Sequence, residues 1–398
     1  MGGMWAVRAR WAFDGERVVP GGAMVLVDGG RIIGVEPWDA PVPADCPSTD
    51  FPAATVLPGL VNTHAHLCGD SGADALERLP GFSDDELASV IDVALQRQLA
   101  AGVTTVRDLG DRGWAVVERR DQRGDRIGVP EIVASGPPIT SVGGHCWAMG
   151  GEASGIDELR RAVGERADRR ADVVKVMASG GNMTPGTDVM ACQFGLDEMR
   201  FIVDEAHRQG IGVTAHAHGL VAVEQAIDAR VDGIEHCTCI TPNGFEMSAD
   251  LLGRLRDQGI AVCPTLGVIP GVSPPPRILE MMARTGITLE ARQDLVGKAH
   301  AAGVRLVSGD DAGVSVAKPH GVFPEAVIGL QAGGVAAPEA LATATAVAAD
   351  VCGLGDRKGR LRVGYDADLI LVDGDATRDV TALRSVLTVA TKGHVAIT

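Results

Sequence analysis

Leu57-Pro58-Gly59-Leu60-Val61-Asn62-Thr63-His64-Ala65-His66-Leu67 is an apolar run, broken by Pro-Gly, that ends in His-Ala-His. It reads as a short buried strand. Side chains alternate along a strand, so residues two apart share a face, and His64 and His66 point the same way. Two imidazoles converging from one strand end make half of a metal site, because neutral imidazole suits zinc and its first-row neighbours. Taken alone, the pair fits two partly exposed strand-end histidines just as well. A metal site needs further ligands downstream, at the intervals that a strand-and-helix repeat would produce.

Downstream the pattern is strand then helix, repeated. After His66 a helix opens at Ser83, where Asp84-Asp85-Glu86 gives a capping pattern with acids in the first turn. Short apolar runs follow at Val103–Arg107, Glu131–Ala134, Asp172–Met177, Gly212–Ala215, Gly233–Glu235, Ile260–Cys263 and Val304–Val307. With the run before His64 these make eight strands, the number that a closed (β/α)₈ barrel of the α/β class requires.

The chain ends read differently. Trp5–Phe13 alternates, and Met24–Val35 is two apolar runs around Gly29-Gly30, the pattern of a hairpin. A Pro-rich connection runs from Pro37 to Pro52. Beyond the eighth strand, helical patterns at Pro324–Gly333 and Pro338–Ala349 give way to strands at Ala367–Asp373 and Val386–Ala390. The simplest arrangement pairs residues 1–55 with 356–398 as one small β domain and inserts a barrel of residues 56–355 between them.

With 398 residues, 45% of them hydrophobic, the chain can bury a large core. Its net charge of -16, without a Lys/Arg cluster, opposes binding to the phosphate backbone of nucleic acid. There is no apolar run of about 18 residues and no basic-then-apolar leader, so a cytoplasmic protein without a membrane partner is expected. Eight cysteines lie scattered with no C-x-x-C pair, as buried packing residues of a reducing compartment do; Cys237 and Cys239, flanking His236, are read the same way.

Several residues at strand ends carry chemistry. Lys175 interrupts an apolar strand, where a bare ammonium is costly to bury. Carbamylation, which turns the amine into a carboxylate able to bridge two divalent metals, would explain it; so would an ion pair inside the barrel. Thr214-Ala215-His216-Ala217-His218-Gly219 closes the fifth strand and Gly233-Ile234-Glu235-His236 the sixth. Val307-Ser308-Gly309-Asp310-Asp311-Ala312-Gly313 ends the eighth with an acid fit to bind metal or to act as a general base. Arg107-Asp108 reads as an internal ion pair at a strand end.

This order of motifs resembles the amidohydrolase superfamily over nearly the whole chain. The resemblance extends to Gly102-Val103-Thr104-Thr105-Val106-Arg107-Asp108, Gly143-Gly144-His145, Lys175-Val176-Met177-Ala178-Ser179-Gly180-Gly181 and Gly364-Tyr365-Asp366-Ala367-Asp368-Leu369-Ile370-Leu371-Val372-Asp373. The branch is that of imidazolonepropionase-like proteins and prolidase-like Xaa-Pro and Xaa-Arg dipeptidases. The resemblance implies a (β/α)₈ barrel flanked by a small β-sandwich, with two divalent metal ions, usually zinc.

By position, His64 and His66 match the first-strand ligands, Lys175 the carbamylated bridging ligand, and His216 and His236 the histidines of the second metal. Asp311 matches the aspartate that holds metal and takes a proton from the attacking water. Position 310, usually a small hydroxyl residue in such relatives, is Asp here, and register alone selects Asp311. His218 stands where prolidase-like members often have tyrosine and suits substrate orientation better than ligation. His145 and His320 match loop histidines that face the substrate.

The expected reaction is hydrolysis of an amide bond in a dipeptide or N-acyl amino acid, through a hydroxide held between the two metals, with no organic cofactor. The substrate carboxylate would be held by cationic or imidazole groups such as His145. Hydrolysis of a cyclic amide, as by imidazolonepropionase, and a non-catalytic scaffold of the same fold are the alternatives. The expected partner is a small-molecule substrate, and a homo-oligomer is compatible with the sequence.

Overall fold

In the computed structural model, which describes residues 3–122 and 127–397, the chain opens with strands β1 (Trp5–Ala12), β2 (Ala23–Asp28), β3 (Arg31–Pro37) and β4 (Ser48–Pro58). β2 and β3 form the hairpin around Gly29-Gly30, whose positive φ angles suit a tight turn of that hand. The Pro-rich connection is shorter than the sequence suggests, because extended structure resumes at Ser48, where β4 begins its parallel pairing with β1.

β4 and the next strand, β5 (Leu60–Ala65), are separated only by Gly59. The stretch read as one strand is therefore two, and Leu57-Pro58 belongs to the terminal sheet, where it pairs with the C-terminal part of the chain. The cause is steric. A Cβ at residue 59 would lie 2.2 Å from Thr104 Oγ1 and 2.8 Å from Thr104 Cβ, so glycine lets the chain pass this close to the second barrel strand.

The barrel strands are β5, β6 (Val103–Asp108), β7 (Glu131–Ala134), β8 (Val173–Met177), β9 (Gly212–Gly219), β10 (Gly233–Thr241), β12 (Ala261–Cys263) and β13 (Arg305–Leu306), with β11 (Gly244–Phe245) a short antiparallel partner of β10. Two parallel ladders, β5-β6-β7 and β8-β9-β10-β12-β13, are joined into a ring at both seams. At one seam Ile139 N–H donates to Lys175 O at 2.8 Å and Met177 N–H to Ile139 O at 2.9 Å. At the other, Thr63 N–H donates to Ser308 O at 3.0 Å and Asp311 N–H to His64 O at 2.8 Å. The second seam sets the metal-candidate residues of the first and eighth strands side by side.

Helices fill the crossovers. The helix Asp84–Ala100 starts at Ser83, which accepts from Glu86 N–H while Glu86 reaches back to Ser83 N–H, and it buries Leu87, Ile91, Leu95 and Leu99 against the barrel. Past the eighth strand come the helices Phe323–Ala332, Ala337–Thr343 and Ala346–Val351. The last two replace the single helix expected over Pro338–Ala349. They are divided because Ala344 O turns aside to accept from Val61 N–H at 2.8 Å, while Thr345 leaves helical geometry at φ -133 and ψ -99.

The chain closes with β14 (Leu369–Asp373), β15 (Val386–Thr391) and β16 (His394–Ile397). The terminal sheet runs β16-β15-β14-β4-β1-β2-β3 and curls on itself, so that the turn at Gly30 meets the turn at Lys392–Gly393. Val7, Val25, Ile32, Val56, Leu369, Leu371 and Ala390 fill the interior of the resulting sandwich. The fold is a (β/α)₈ barrel with a small β-sandwich built from both chain ends.

Gly59→Ala should lower stability by about 1–3 kcal/mol through overpacking against Thr104, read as a lower urea midpoint at constant slope. Adding Thr104→Ala, which removes both the hydroxyl and the methyl, should recover part of that loss.

Candidate metal centre and active site

β5 delivers His64 and His66 to the barrel mouth as neighbours on one face. Their Nε2 atoms are 3.4 Å apart, and Asp311 Oδ1 lies 3.4 Å from His64 Nε2 and 3.3 Å from His66 Nε2. Ligand atoms on a tetrahedron with bonds of about 2.1 Å are about 3.4 Å apart, so this triangle has the dimensions of one face of a zinc-type coordination shell. The other nitrogen of each ring is held from behind. His64 Nδ1 meets Glu235 Oε2 at 2.7 Å, and His66 Nδ1 meets Gly110 O at 3.1 Å. Such contacts favour the proton on Nδ1 and turn Nε2 to the triangle, where burial opposes protonation of His66 but the Asp311 carboxylate outweighs it and raises its pKa.

His216, His218 and His236 converge on the same mouth, with ring nitrogens within 4.8 Å of one another. His216 is held through Nε2 by Gly180 O at 3.1 Å, which leaves Nδ1. His236 and His218 are held through Nδ1 by Thr265 Oγ1 at 2.8 Å and Thr238 Oγ1 at 2.9 Å, which leaves Nε2. His218 stacks on His236 with ring centroids 4.4 Å apart. Burial keeps these rings neutral: His64 falls to about 4, His218 to about 3, and His216 and His236 lie well below the ordinary histidine value.

The two adjacent aspartates have separate surroundings. Asp311, at φ 58, turns its carboxylate to the imidazoles. Burial disfavours its charge, but Lys318, His66 and His64 hold its carboxyl far below the usual range. Asp310 points away and accepts from Asn62 Nδ2 at 2.8 Å and from Ala312 N–H at 3.0 Å, with Oδ2 unpartnered and burial pushing it up to about 6. Between them and β12, Gly309 packs so near β5 that a Cβ would lie 2.7 Å from His64 Cβ and 2.6 Å from Cys263 Sγ.

Lys175 is 1% exposed, on the inner face of β8. Among the described residues no direct ion pair neutralises it, so the ion-pair reading of this lysine fails. Burial lowers its pKa, with the fields of Glu235 and Asp311 opposing. The expected Arg107–Asp108 pair does not form either. Arg107 Nη2 pairs with Glu235 Oε1 at 3.1 Å, and its Nε donates to Thr63 O at 2.6 Å. Asp108 instead accepts from Leu67 N–H at 2.7 Å and Gly110 N–H at 3.2 Å, and burial raises it to about 7. Cys237 and Cys239 lie in the barrel core, as packing residues do.

A cavity of about 520 Å³ opens over these groups. His64, His66, His145, Lys175, His216, His218, His236 and Asp311 form its polar floor, and the segment after β12, including Ile269, Ile278, Met281 and Ile287, forms an apolar wall. His145 lies 4.6 Å from the His216 ring, and burial holds it at about 3. His320 does not face this space. It is buried, with Nε2 on Gly69 O at 2.9 Å and Nδ1 near Gln98 Nε2 at 3.5 Å, so it is neither a surface histidine nor a cavity group.

Sequence reasoning missed Glu235, Thr265, Arg292 and Lys318. Glu235 is 1% exposed and accepts from Arg107, from His64 and, at 2.6 Å, from Thr214 Oγ1. The argument that singled out Lys175, a charge inside an apolar strand, applies to it equally. Arg292 and Lys318 come from a helix and a loop without periodic signal.

The amidohydrolase family profile matches residues 55–396. The chain is similar to ochratoxinase of Aspergillus niger, 29% identical over 360 residues that cover 82% of this chain and 71% of that protein. It is similar to imidazolonepropionase of Stenotrophomonas maltophilia, 24% identical over 95% of this chain and 92% of the relative. Among solved structures, a Xaa-Pro dipeptidase with methionine bound in its active site superposes with a TM-score of 0.86 at 26% identity, covering 98% of this chain and 99% of that one. A putative prolidase from Bifidobacterium longum gives 0.79 at 28% identity, covering 99% and 94%.

Glu235→Gln should cost about 3–5 kcal/mol in the metal-free protein, because it leaves Arg107 buried without its counter-charge. Arg107→Met should cost a similar amount, and the double variant clearly less than the sum. Urea unfolding of the four proteins as a double-mutant cycle checks this.

Proposed function

The chain belongs to the amidohydrolase family and is a hydrolase, and from that premise we propose that it hydrolyses an amide bond in a dipeptide or N-acyl amino acid at a site for two divalent cations, zinc in the first instance. The observation that carries the reading is the triangle of His64, His66 and Asp311 beside the unpaired, buried Lys175, with the free nitrogens of His216 and His236 facing the same space. In this reading the three triangle groups would hold one cation and His216 and His236 the other, with Lys175, as its carbamate, available as a further anionic ligand. All of these residues lie in a barrel portion taken as 56–355, between terminal portions 1–55 and 356–398.

Burial lowers the pKa of Lys175, so its neutral form, which has the lone pair needed to attack CO₂, is reached more readily than in a free lysine. The N–C bond would form as one C=O π bond of CO₂ opens and a proton leaves Nζ for solvent, giving two oxygens that share one negative charge where one neutral nitrogen stood. The bound cations would acidify a water and polarise the scissile carbonyl. The protein's own groups do the rest. Asp311 takes a proton from the attacking water at Oδ2, the oxygen turned away from the imidazoles, and passes it to the leaving nitrogen. His218 and His145, neutral at working pH, orient the substrate carbonyl and its flanking groups by hydrogen bonds. The apolar wall excludes bulk water from the floor.

The purified protein should contain close to two divalent metals per chain and release amino acids from a panel of dipeptides and N-acyl amino acids. One metal at most, after supply of zinc and bicarbonate, would overturn the two-cation reading. Asp311→Asn should abolish turnover, whereas Asp310→Asn should retain much of it. Lys175→Ala should lose most bound metal and activity, and acetate or propionate occupying the vacated space should restore part of both. Lys175→Arg should not recover, since a guanidinium cannot bridge two cations. Metal content measured beside turnover checks each variant.

A further inference from the structure

Two cations border the cavity beside Asp311, and the chemistry above does not use them. Arg292 stands in the first turn of the helix Leu289–Ala301, and Lys318 lies in the loop after β13. Their side chains reach the same carbonyl from different segments: Thr265 O accepts from Arg292 Nη2 at 3.2 Å and from Lys318 Nζ at 3.0 Å. Arg292 Nη2 also donates to Pro264 O and, at 3.2 Å, to Thr265 Oγ1, and Lys318 Nζ donates to Asp310 O at 2.7 Å. All these acceptors are neutral oxygens.

The acids nearby form no close pair with these cations that is free of other contacts. Asp311 Oδ2 lies 3.7 Å from Lys318 Nζ, but this carboxylate also closes the triangle with His64 and His66, where its charge is engaged. Glu325, on the cavity wall, is held by Arg384 at 2.6 and 2.8 Å, and Glu290 is exposed. Two positive charges therefore stand near two carboxylates, of which only Asp311 comes within 4 Å of either and is committed to the imidazoles, while Asp310 turns its carboxylate to Asn62 and Ala312 and acts on Lys318 through its field alone. At the edge of a largely apolar cavity a charge without a close partner is expensive.

We propose that Arg292 and Lys318 form the subsite for the free carboxylate of the substrate's leaving amino acid, an assignment that rests on the amide-hydrolase reading of this site. The spacing suits it. In an N-acyl amino acid the carboxylate carbon is three bonds from the scissile carbonyl carbon, roughly 3–3.8 Å away depending on the N–Cα torsion. The Lys318 ammonium stands 3.7 Å from the Asp311 carboxylate that works on that carbonyl. His145 and His218 line the same cavity, but their Nδ1 atoms are taken by Thr184 Oγ1 at 2.8 Å and Thr238 Oγ1 at 2.9 Å, so each has one ring nitrogen left for a hydrogen bond, and the guanidinium and the lysine amine are the cationic groups at the edge. With the carboxylate at the cationic edge, the acyl group meets the wall of Ile269, Ile278, Met281 and Ile287. The substrate class is an amino acid with a free carboxylate, carrying a bulky apolar acyl group on its nitrogen.

The test compares matched pairs, N-benzoyl-leucine and N-benzoyl-phenylalanine against their C-terminal amides, with the zinc-loaded full chain. The wild type should favour the acid in kcat/KM by about tenfold to a hundredfold, mostly through KM, the effect of one charge-assisted contact. Arg292→Gln and Lys318→Met should each reduce the acid-to-amide ratio about tenfold, and Arg292→Lys should keep part of it. Equal turnover of acid and amide by the wild type overturns the assignment without touching the amide-hydrolase reading. So does a parallel loss on both substrates with the ratio intact, which would make the cations mere supports of Thr265. Hydrolysis of none of the four, or of any dipeptide, removes the amide-hydrolase reading and the subsite with it.

Discussion

A single buried carboxylate, Glu235, fixes the geometry on which the rest of the site depends. It lies on β10 and gathers Arg107 from β6, His64 from β5 and Thr214 from β9, so four strands of the ring meet at one charge. A buried ion pair adds little net stability against an apolar replacement. What it supplies here is direction. Arg107 provides the positive charge and ties β6 to Thr63 O, and His64 is left to donate from Nδ1 and to present Nε2. The triangle with His66 and Asp311 follows from that one tautomer.

The price of aiming side chains inward from a ring is visible in the backbone. His236, Cys237, Cys239, Thr265 and Asp311 all adopt positive φ, the first three at the irregularity within β10 and the other two just beyond β12 and β13. Non-glycine residues hold such angles at a cost of order 1–3 kcal/mol each, and only where the surroundings over-determine them. Here the surroundings do so: Asp311 N–H is fixed by His64 O, and Thr265 binds His236, Arg292 and Lys318. Thr265 thus joins the imidazole floor to the cationic edge of the cavity.

How much was legible in the sequence follows from the range of the interactions. The eight strands could be read because short apolar runs bounded by turns are local signals, as is the Ser83 cap. The break at Gly59 could not, since the run is apolar on both sides and the clash with Thr104 comes from another strand. The Arg107–Asp108 pair contradicted the alternation used for His64 and His66: neighbours on a strand face opposite ways, and each residue found its partner on its own side. His320 illustrates the opposite limit, a polar residue in a loop whose burial depends on Gly69 and Gln98 from distant segments.

The sandwich is assembled from both ends of the chain, and this bears on how the protein comes into being on the ribosome. β4 pairs with β1 on one side as soon as both are made, but its other side pairs with β14, with Val56 opposite Leu371. Until the last tenth of the chain emerges, β4 carries an open edge and apolar residues that only late strands cover. β5, with His64 and His66, is anchored to that unfinished sheet through one glycine. The bracing of the barrel's first strand from outside thus depends on contacts of very long sequence separation, the kind that costs most loop-closure entropy to form.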